Sequence, residues 1–243
     1  MRFIVMHKVD AKMEGGGSPS QEIISQMGAL VQASLREGVF LNGAGLHRSA
    51  RRVRLGAATG EAPRTDGPYS GSNELVSSFT MLSTKSLDHA VAHARTLAKE
   101  LGGVEVEIGP VVEPWDLGLM PAPEHAPKRF LLLTKATADD EAGGGTAAKH
   151  TAAVTALAAS FQGDAAVIAA ESLAPSSKGA RLPAPGKAGK RVWVDGPFAE
   201  SKELIAGFSL LSLPSKADAL KWADRYADIL VDAEVDVREV NEP

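Results

Sequence analysis

Thr65-Asp66-Gly67-Pro68-Tyr69 recurs as Val194-Asp195-Gly196-Pro197-Phe198, 129 residues further on. Of the 18 positions from Asp66 to Ser83, nine are identical to Asp195–Ser212. The register continues downstream without a gap, Glu105-Val106 and Val111 standing against Glu234-Val235 and Val240. Upstream the offset is 127, with Arg2-Phe3 against Arg129-Phe130, Leu46 against Leu173, and Arg54-Leu55 against Arg181-Leu182. Gly15-Gly16-Gly17 stands against Gly143-Gly144-Gly145. A repeat this long reads as two copies of one domain, because solenoid units run only ~20–50 residues. The expected organisation is a first domain over 1–112, a proline-rich linker over 113–128 and a second domain over 129–243. Pro114, Pro121, Pro123 and Pro127 keep the linker from helix and strand. Its Trp115, Leu117, Leu119 and Met120 are expected to dock along the seam between the halves.

Each half carries the same hydrophobic periods. Phe3–Val9 and Phe130–Thr134 read as a buried first strand. Ile23, Ile24, Met27, Leu30, Val31 and Leu35 fall at helical spacing and stop near Gly38; Ala153, Val154, Leu157, Ala158 and Phe161 do the same before Gly163. Val39–Leu41 with Val53–Leu55, and Ala166–Ala169 with Val192–Val194, read as strand pairs. After the Asp-Gly-Pro turn come Leu75–Leu82 and Leu204–Leu211, then a second helix and a closing strand. The order β-α-β-β-α-β is the ferredoxin-like plan. Ile4, Phe79 and Phe208 leave no polar side to the sheet, so its second face must be buried as well. The expected fold is α+β, with two tandem ferredoxin-like domains packed sheet to sheet as a pseudo-twofold α/β barrel.

Composition excludes several function classes. The 243 residues are 44% hydrophobic and 23% charged, an ordinary profile for a soluble globular protein. Absence of cysteine removes disulfides, Cys-ligated zinc, iron–sulfur clusters and thiolate catalysis. A net charge of -4 gives no footing for general nucleic-acid binding. No apolar run reaches the ~20 residues of a membrane span, and Met1–Met6, ended by His7 and Lys8, is too short for a signal peptide. The expectation is a cytoplasmic protein with a small-molecule ligand, no nucleic-acid or membrane partner, and no cofactor or metal. A homodimer on top of the internal pseudo-dimer is left open.

Asp195-Gly196-Pro197-Phe198-Ala199-Glu200-Ser201-Lys202-Glu203, followed by Ile205-Ala206-Gly207-Phe208, resembles the signature of the YCII-related (DGPF-motif) family. The first half departs from it at Tyr69, Gly71, Asn73 and Ser78. The resemblance implies a ferredoxin-like α+β fold that dimerises into an α/β barrel. Its implications for activity are weaker: many members have no assigned reaction and a minority are lyases such as dehydrochlorinases. A His–Asp pair has been proposed as the family's general site. Some members occur beside or fused to sigma factors, which implies regulation in those lineages.

His150 is the sharpest candidate. It precedes Val154 by four and Leu157 by seven, so it shares the helix face that packs on the sheet. The Lys149-His150 position resembles the family's first-helix histidine; the first half offers Glu22 or Ile23 there. Histidine suits general acid–base work near neutral pH. Asp66 and Asp195 have two readings: backbone-bonded turn residues, or carboxylates that orient His150 or polarise a substrate hydroxyl. Lys8 and Lys135, with His7 and Asp10, lie at the end of strand one, either as surface lysines or as holders of an anionic substrate. Glu74 and Glu203 are expected to face solvent. The Gly-rich loops match neither GxxxxGK[ST] nor GxGxxG and read as a lid or a flexible connection. Arg48, Arg51, Arg52 and Arg54 read as a solvated face or edge-strand protection, and His89 with His93 as an exposed pair lacking a third ligand. The leading expectation is a cofactor-independent lyase or isomerase in which His150 and Asp195 form the acid–base pair. Lys135, Lys8, His7 and Asp66 would bind the substrate. The alternative is a non-catalytic small-molecule-binding or regulatory, sigma-factor-associated module.

Overall fold

The computed structural model describes residues 1–71, 74–163, 165–185, 191–199 and 204–242. The first half runs β1 (Arg2–Lys8), α1 (Ala11–Glu14), α2 (Gln21–Arg36), β2 (Phe40–Leu46), β3 (Val53–Leu55), β4 (Arg64–Asp66), β5 (Val76–Thr84), α3 (Leu87–Glu100) and β6 (Val106–Val112). The second repeats the order with β7 (Lys128–Lys135), α4 (Ala138–Glu141), α5 (Thr146–Ala159), β8 (Ala166–Ser172), β9 (Ala180–Leu182), β10 (Val194–Asp195), β11 (Ile205–Ser212), α6 (Lys216–Leu230) and β12 (Val235–Glu239). Three of the long helices start at a serine whose hydroxyl accepts a backbone N–H three residues on: Ser20 from Ile23, Ser86 from His89, and Ser215 from Asp218. Each such cap satisfies one of the amides that helix geometry leaves without a partner.

Pairing does not follow the halves of the sequence. β1 lies between β11 and β12, with Val5 opposite Ser209 on one side and Val237 on the other. Reciprocally, β7 lies between β5 and β6, Leu132 facing Thr80 and Ile108. β8 adds to β5, and β2 adds to β11. One layer is therefore β10-β9-β12-β1-β11-β2 and the other β6-β7-β5-β8, with β3 and β4 attached to β6. Each layer draws strands from both halves. This corrects the expectation that each half builds its own sheet. It follows from chemistry the two halves share: β1 and β7 carry equivalent buried apolar runs, so either fits the same slot between the partner strands.

The layers join at Gly45↔Val112 and Leu46↔Val111. At the opposite seam, β8 and β12 meet in a single bridge, Leu173↔Val240, flanked by Ala174 N–H to Glu239 C=O at 2.9 Å. The sheet is large, antiparallel and open, because that seam is one bridge long; the expected closed barrel is not formed by ladder pairing. Between the layers, Ile4, Met6, Phe208 and Leu210 meet Phe79, Met81, Leu131 and Leu133 in one buried cluster. The rings of Phe79 and Phe208 lie 4.8 Å apart, and emptying either position to alanine would cost about 3–5 kcal/mol. α3 and α5 cover the outer face of one layer, and α2 and α6 that of the other.

Several local expectations change. β2 and β3 do not pair with each other; both meet β6. The partner of β10 is β9 at Ala180–Leu182, a strand too short for period counting to find. The linker is anchored by charge, with Trp115 and Leu117 half-buried. The Arg129 guanidinium grips buried Glu113 at 2.7 and 2.6 Å and His47 Nε2 meets Asp116 at 3.2 Å, whereas Leu119 and Met120 stay exposed.

Strand exchange makes a direct prediction. Residues 129–243 alone keep β11 and β12 without β1, and β7 and β8 without β5. In analytical ultracentrifugation this fragment is expected to dimerise; a monomer would show instead that β7 takes the slot of β1 between β11 and β12.

Candidate functional site

The Asp-Gly-Pro motif is built twice on the same anchor. A Cβ on Gly67 would lie 1.8 Å from the Ser49 carbonyl oxygen, and one on Gly196 would lie 1.9 Å from that of Ser176, so no side chain fits. Tyr69 N–H donates to Ser49 Oγ at 3.3 Å and Phe198 N–H to Ser176 Oγ at 3.0 Å. Both serine hydroxyls donate in turn to a carboxylate of the preceding short helix, Glu14 or Glu141. The Gly-rich loops are therefore pinned by α1 and α4, which corrects the reading of them as a lid. Seated this way, Tyr69 covers the Arg54 guanidinium at 4.4 Å and Phe198 covers Arg181 at 4.3 Å, an arrangement favoured by the ring's negative face. The aspartate side chains bind surface cations. Asp66 is exposed and paired with Arg64 at 2.8 Å; Asp195 is exposed and paired with Lys216 at 2.8 Å.

Beneath the aromatic rings, charge is buried between the layers. Glu107 accepts from Arg52 at 2.8 Å and from Arg54 at 3.0 Å, and Lys135 is shared between Glu74 and Glu107. Glu74 is buried, contrary to the expectation of solvent exposure, because Arg54 and Lys135 supply its counter-charge. Glu203 lies outside the described residues. In the other layer Lys8 meets Asp236 at 3.1 Å, and Asp236 also accepts from Arg181 at 2.7 Å. Lys8 and Lys135 are thus buried and matched by protein carboxylates. Burial pushes the Glu107 carboxyl upward, but Lys135 and Arg52, with hydrogen bonds from Arg52 and Arg54, overcome it and hold the group at about 2.

The two clusters differ by an exchange. Arg52 lies over Gly109 on β6, its Cδ 3.5 Å from where a Cβ would stand. At the repeat-equivalent places the glycine is Gly179 and the arginine is Arg238, whose Cδ would be 2.8 Å from a Gly179 Cβ. Arg52 Nε donates to the His47 carbonyl at 2.5 Å and Arg238 Nη2 to the equivalent Ala174 carbonyl at 2.5 Å. One guanidinium fills each space, supplied from opposite strands.

His150 sits in a different environment. It is buried at the start of α5, 3.3 Å from Thr80 Oγ1 through Nε2. Burial lowers its pKa to about 4, so the imidazole is neutral at physiological pH. It opens on a cleft with about 60 Å³ of accessible volume, lined also by Ser77, Ser78, Thr134, Thr146 and Asp140. Thr134 Oγ1 is buried without a hydrogen-bond partner among the described residues, a state that costs about 1–3 kcal/mol. The structure does not bring Asp195 to this histidine: their recorded partners, Lys216 and Thr80, belong to different layers.

The equivalent place in the other layer is filled. Thr134, Leu97, Ser78 and His150 correspond to His7, Tyr226, Gly207 and Ile23. His7 Nδ1 meets Tyr226 OH at 2.7 Å, and His7 Cε1 lies 2.6 Å from where a Cβ on Gly207 would stand. The imidazole thus occupies the volume that Ser78 fills opposite. Burial also brings His7 down to about 4. Among the described residues, no group of three or more His, Cys, Asp or Glu side chains could hold a metal ion. Among the same residues, no helix is long and apolar enough to cross a membrane.

The segment 129–241, just under half of the chain, matches the YCII-related domain. It contributes α5 with His150, β7 with Thr134 and Lys135, and the Asp195-Gly196-Pro197-Phe198 turn. No curated protein and no solved structure matches the chain.

Glu107→Gln removes the carboxylate from buried Arg52 and leaves Lys135 with Glu74 alone, and is expected to lower stability by about 3–5 kcal/mol in urea unfolding. Because its folded pKa is depressed, Glu107 contributes stability above the ordinary carboxylate range that is lost as pH falls toward about 2. The acid slope of stability should therefore flatten in the variant; an unchanged slope would count against the cluster.

Proposed function

We propose that the chain is a small-molecule enzyme of lyase or isomerase type, with the neutral imidazole of His150 as its proton-transfer group. The observation that carries this reading is a burial-neutralised histidine opening on a hydroxyl-lined cleft that also holds the unpartnered Thr134 hydroxyl. An imidazole of this kind accepts a proton from carbon or oxygen without first losing one of its own. Thr80, on the sheet beneath, fixes the ring through Nε2. Asp195 acts in this scheme through the turn it helps to form, and Lys8 and Lys135 act through the buried ion clusters rather than on substrate. His7 and Tyr226 fill the second cleft, so one working site serves the chain.

The first half is read as a diverged copy of the YCII-related domain. Support comes from the nine identities around the turn, the repeated element order and the matched Glu14–Ser49 and Glu141–Ser176 anchors. Each layer then corresponds to a ferredoxin-like sheet assembled from both copies, and a soluble cytoplasmic location is proposed with it. A second reading, a non-catalytic binding or regulatory module, draws support from the hydroxyl rather than carboxylate partner of His150.

The readings separate in one experiment. The protein is incubated in D2O with a panel of small hydroxy- and halo-substituted compounds, and deuterium incorporation or elimination is followed by NMR. Turnover is expected to fall roughly 100-fold or more in His150→Gln, the scale of a lost acid–base group. The wild-type rate should be flat near neutrality and decline as pH approaches about 4, where the imidazole becomes protonated. Turnover retained by His150→Gln would remove the assignment; saturable binding without turnover would establish the second reading.

A further inference from the structure

We propose that the cleft beneath α5 takes a small uncharged molecule, one that offers a hydrogen-bond acceptor to Thr134 Oγ1, rather than an anion. This deepens the assignment of that cleft as the functional site and rests on it.

The charges around the cleft are already spent. Lys149, on its rim, is exposed and paired with Asp139 at 2.6 Å. Lys135, the neighbour of Thr134 in sequence, points to the opposite face of the sheet, where Glu74 and Glu107 hold it. Asp140 is the one carboxylate in the lining. It accepts from Thr146 Oγ1 at 2.8 Å and from Thr137 Oγ1 and N–H, both at 2.8 Å. An anion entering here would lose its hydration, meet the charge of Asp140 and find no free cation among the described residues. Neutral donors and acceptors remain: the imidazole and the hydroxyls of Ser77, Ser78 and Thr134.

The opposite layer shows what completes such a position from within. His7 stands where Thr134 does, and its polar atom is met by the Tyr226 hydroxyl. Beneath α3 the residue equivalent to Tyr226 is Leu97, which has no polar atom to offer. Thr134 Oγ1 is therefore left unmatched at 3% exposure, in the wall of a cleft. Buried donors in folded proteins are almost always satisfied, and the missing partner belongs to what enters the cleft. The accessible volume of about 60 Å³ is far below that of pockets for drug-sized ligands, which restricts an occupant to a few heavy atoms, such as a small alcohol, ketone, aldehyde or amide.

The test uses the full chain labelled with 15N, the His150 ring signals being assigned by their loss in His150→Gln. Acetamide, acetone and glycerol are titrated at pH 7 beside sodium acetate and sodium phosphate. At least one neutral probe is expected to shift the His150 signals saturably. Its affinity should weaken roughly 2- to 10-fold in Thr134→Val, the scale of one neutral hydrogen bond, and recover in Thr134→Ser. The anions should produce no saturable shift. If acetate or phosphate moves His150 as well as the neutral probes do, the neutral-ligand inference is overturned and the cleft stands as the site. If no probe moves His150, the cleft assignment falls and this inference with it.

Discussion

Hydrogen bonding of β1 between β11 and β12, and of β7 between β5 and β6, determines where everything else in the molecule lies. Each of these strands is the central member of a layer whose flanking strands come from the other half. The shared apolar cluster between the layers, the two ion clusters at its margins and the cleft beneath α5 all combine residues from both halves. His150 and Thr134 come from the second half, whereas Ser77 and Ser78 of the same cleft, and Thr80 that meets the imidazole, come from the first. Neither half contains a complete site, and the linker joins two segments that are already interleaved.

In the two ion clusters, Glu107 and Asp236 each answer more than one cation. Glu107 serves Arg52, Arg54 and Lys135, and Asp236 serves Lys8 and Arg181. A lone ion pair at this depth would barely offset its desolvation, while a multiply bonded carboxylate does so more readily. The glycine-locked turn is part of the same construction, because it lays an aromatic ring over the arginine that faces solvent. This accounts for a motif that recurs in both halves even though its aspartates do no more than bind surface cations.

Much of this was legible in the sequence, for identifiable reasons. The repeat could be read because the turn has steric requirements that admit only glycine. His150 could be placed on the inner helix face because Val154 and Leu157 follow at helical spacing. Strand partners could not be read, since Ile4 and Leu131 belong to equally apolar runs and nothing local distinguishes their slots. Burial of Glu74 was hidden because its cations lie 20 and 61 residues away. The expected His150–Asp195 pair joined two suitable residue types without a topology to show that they belong to different layers. Leu97, decisive for the unmatched Thr134, reads in sequence as one more apolar helix residue; only comparison with Tyr226 at the same repeat position marks it out.

The exchanged arginine and glycine at 52/109 and 179/238 also bear on how the two halves drift. A short tract copied from one half onto the other would put two guanidinium groups into one space, or leave that space with none. Tracts carrying both members of a pair would have to span the distance from β3 to β6 to stay compatible. Each arginine is thus tied to its glycine by packing alone, quite separately from any difference between the two clefts.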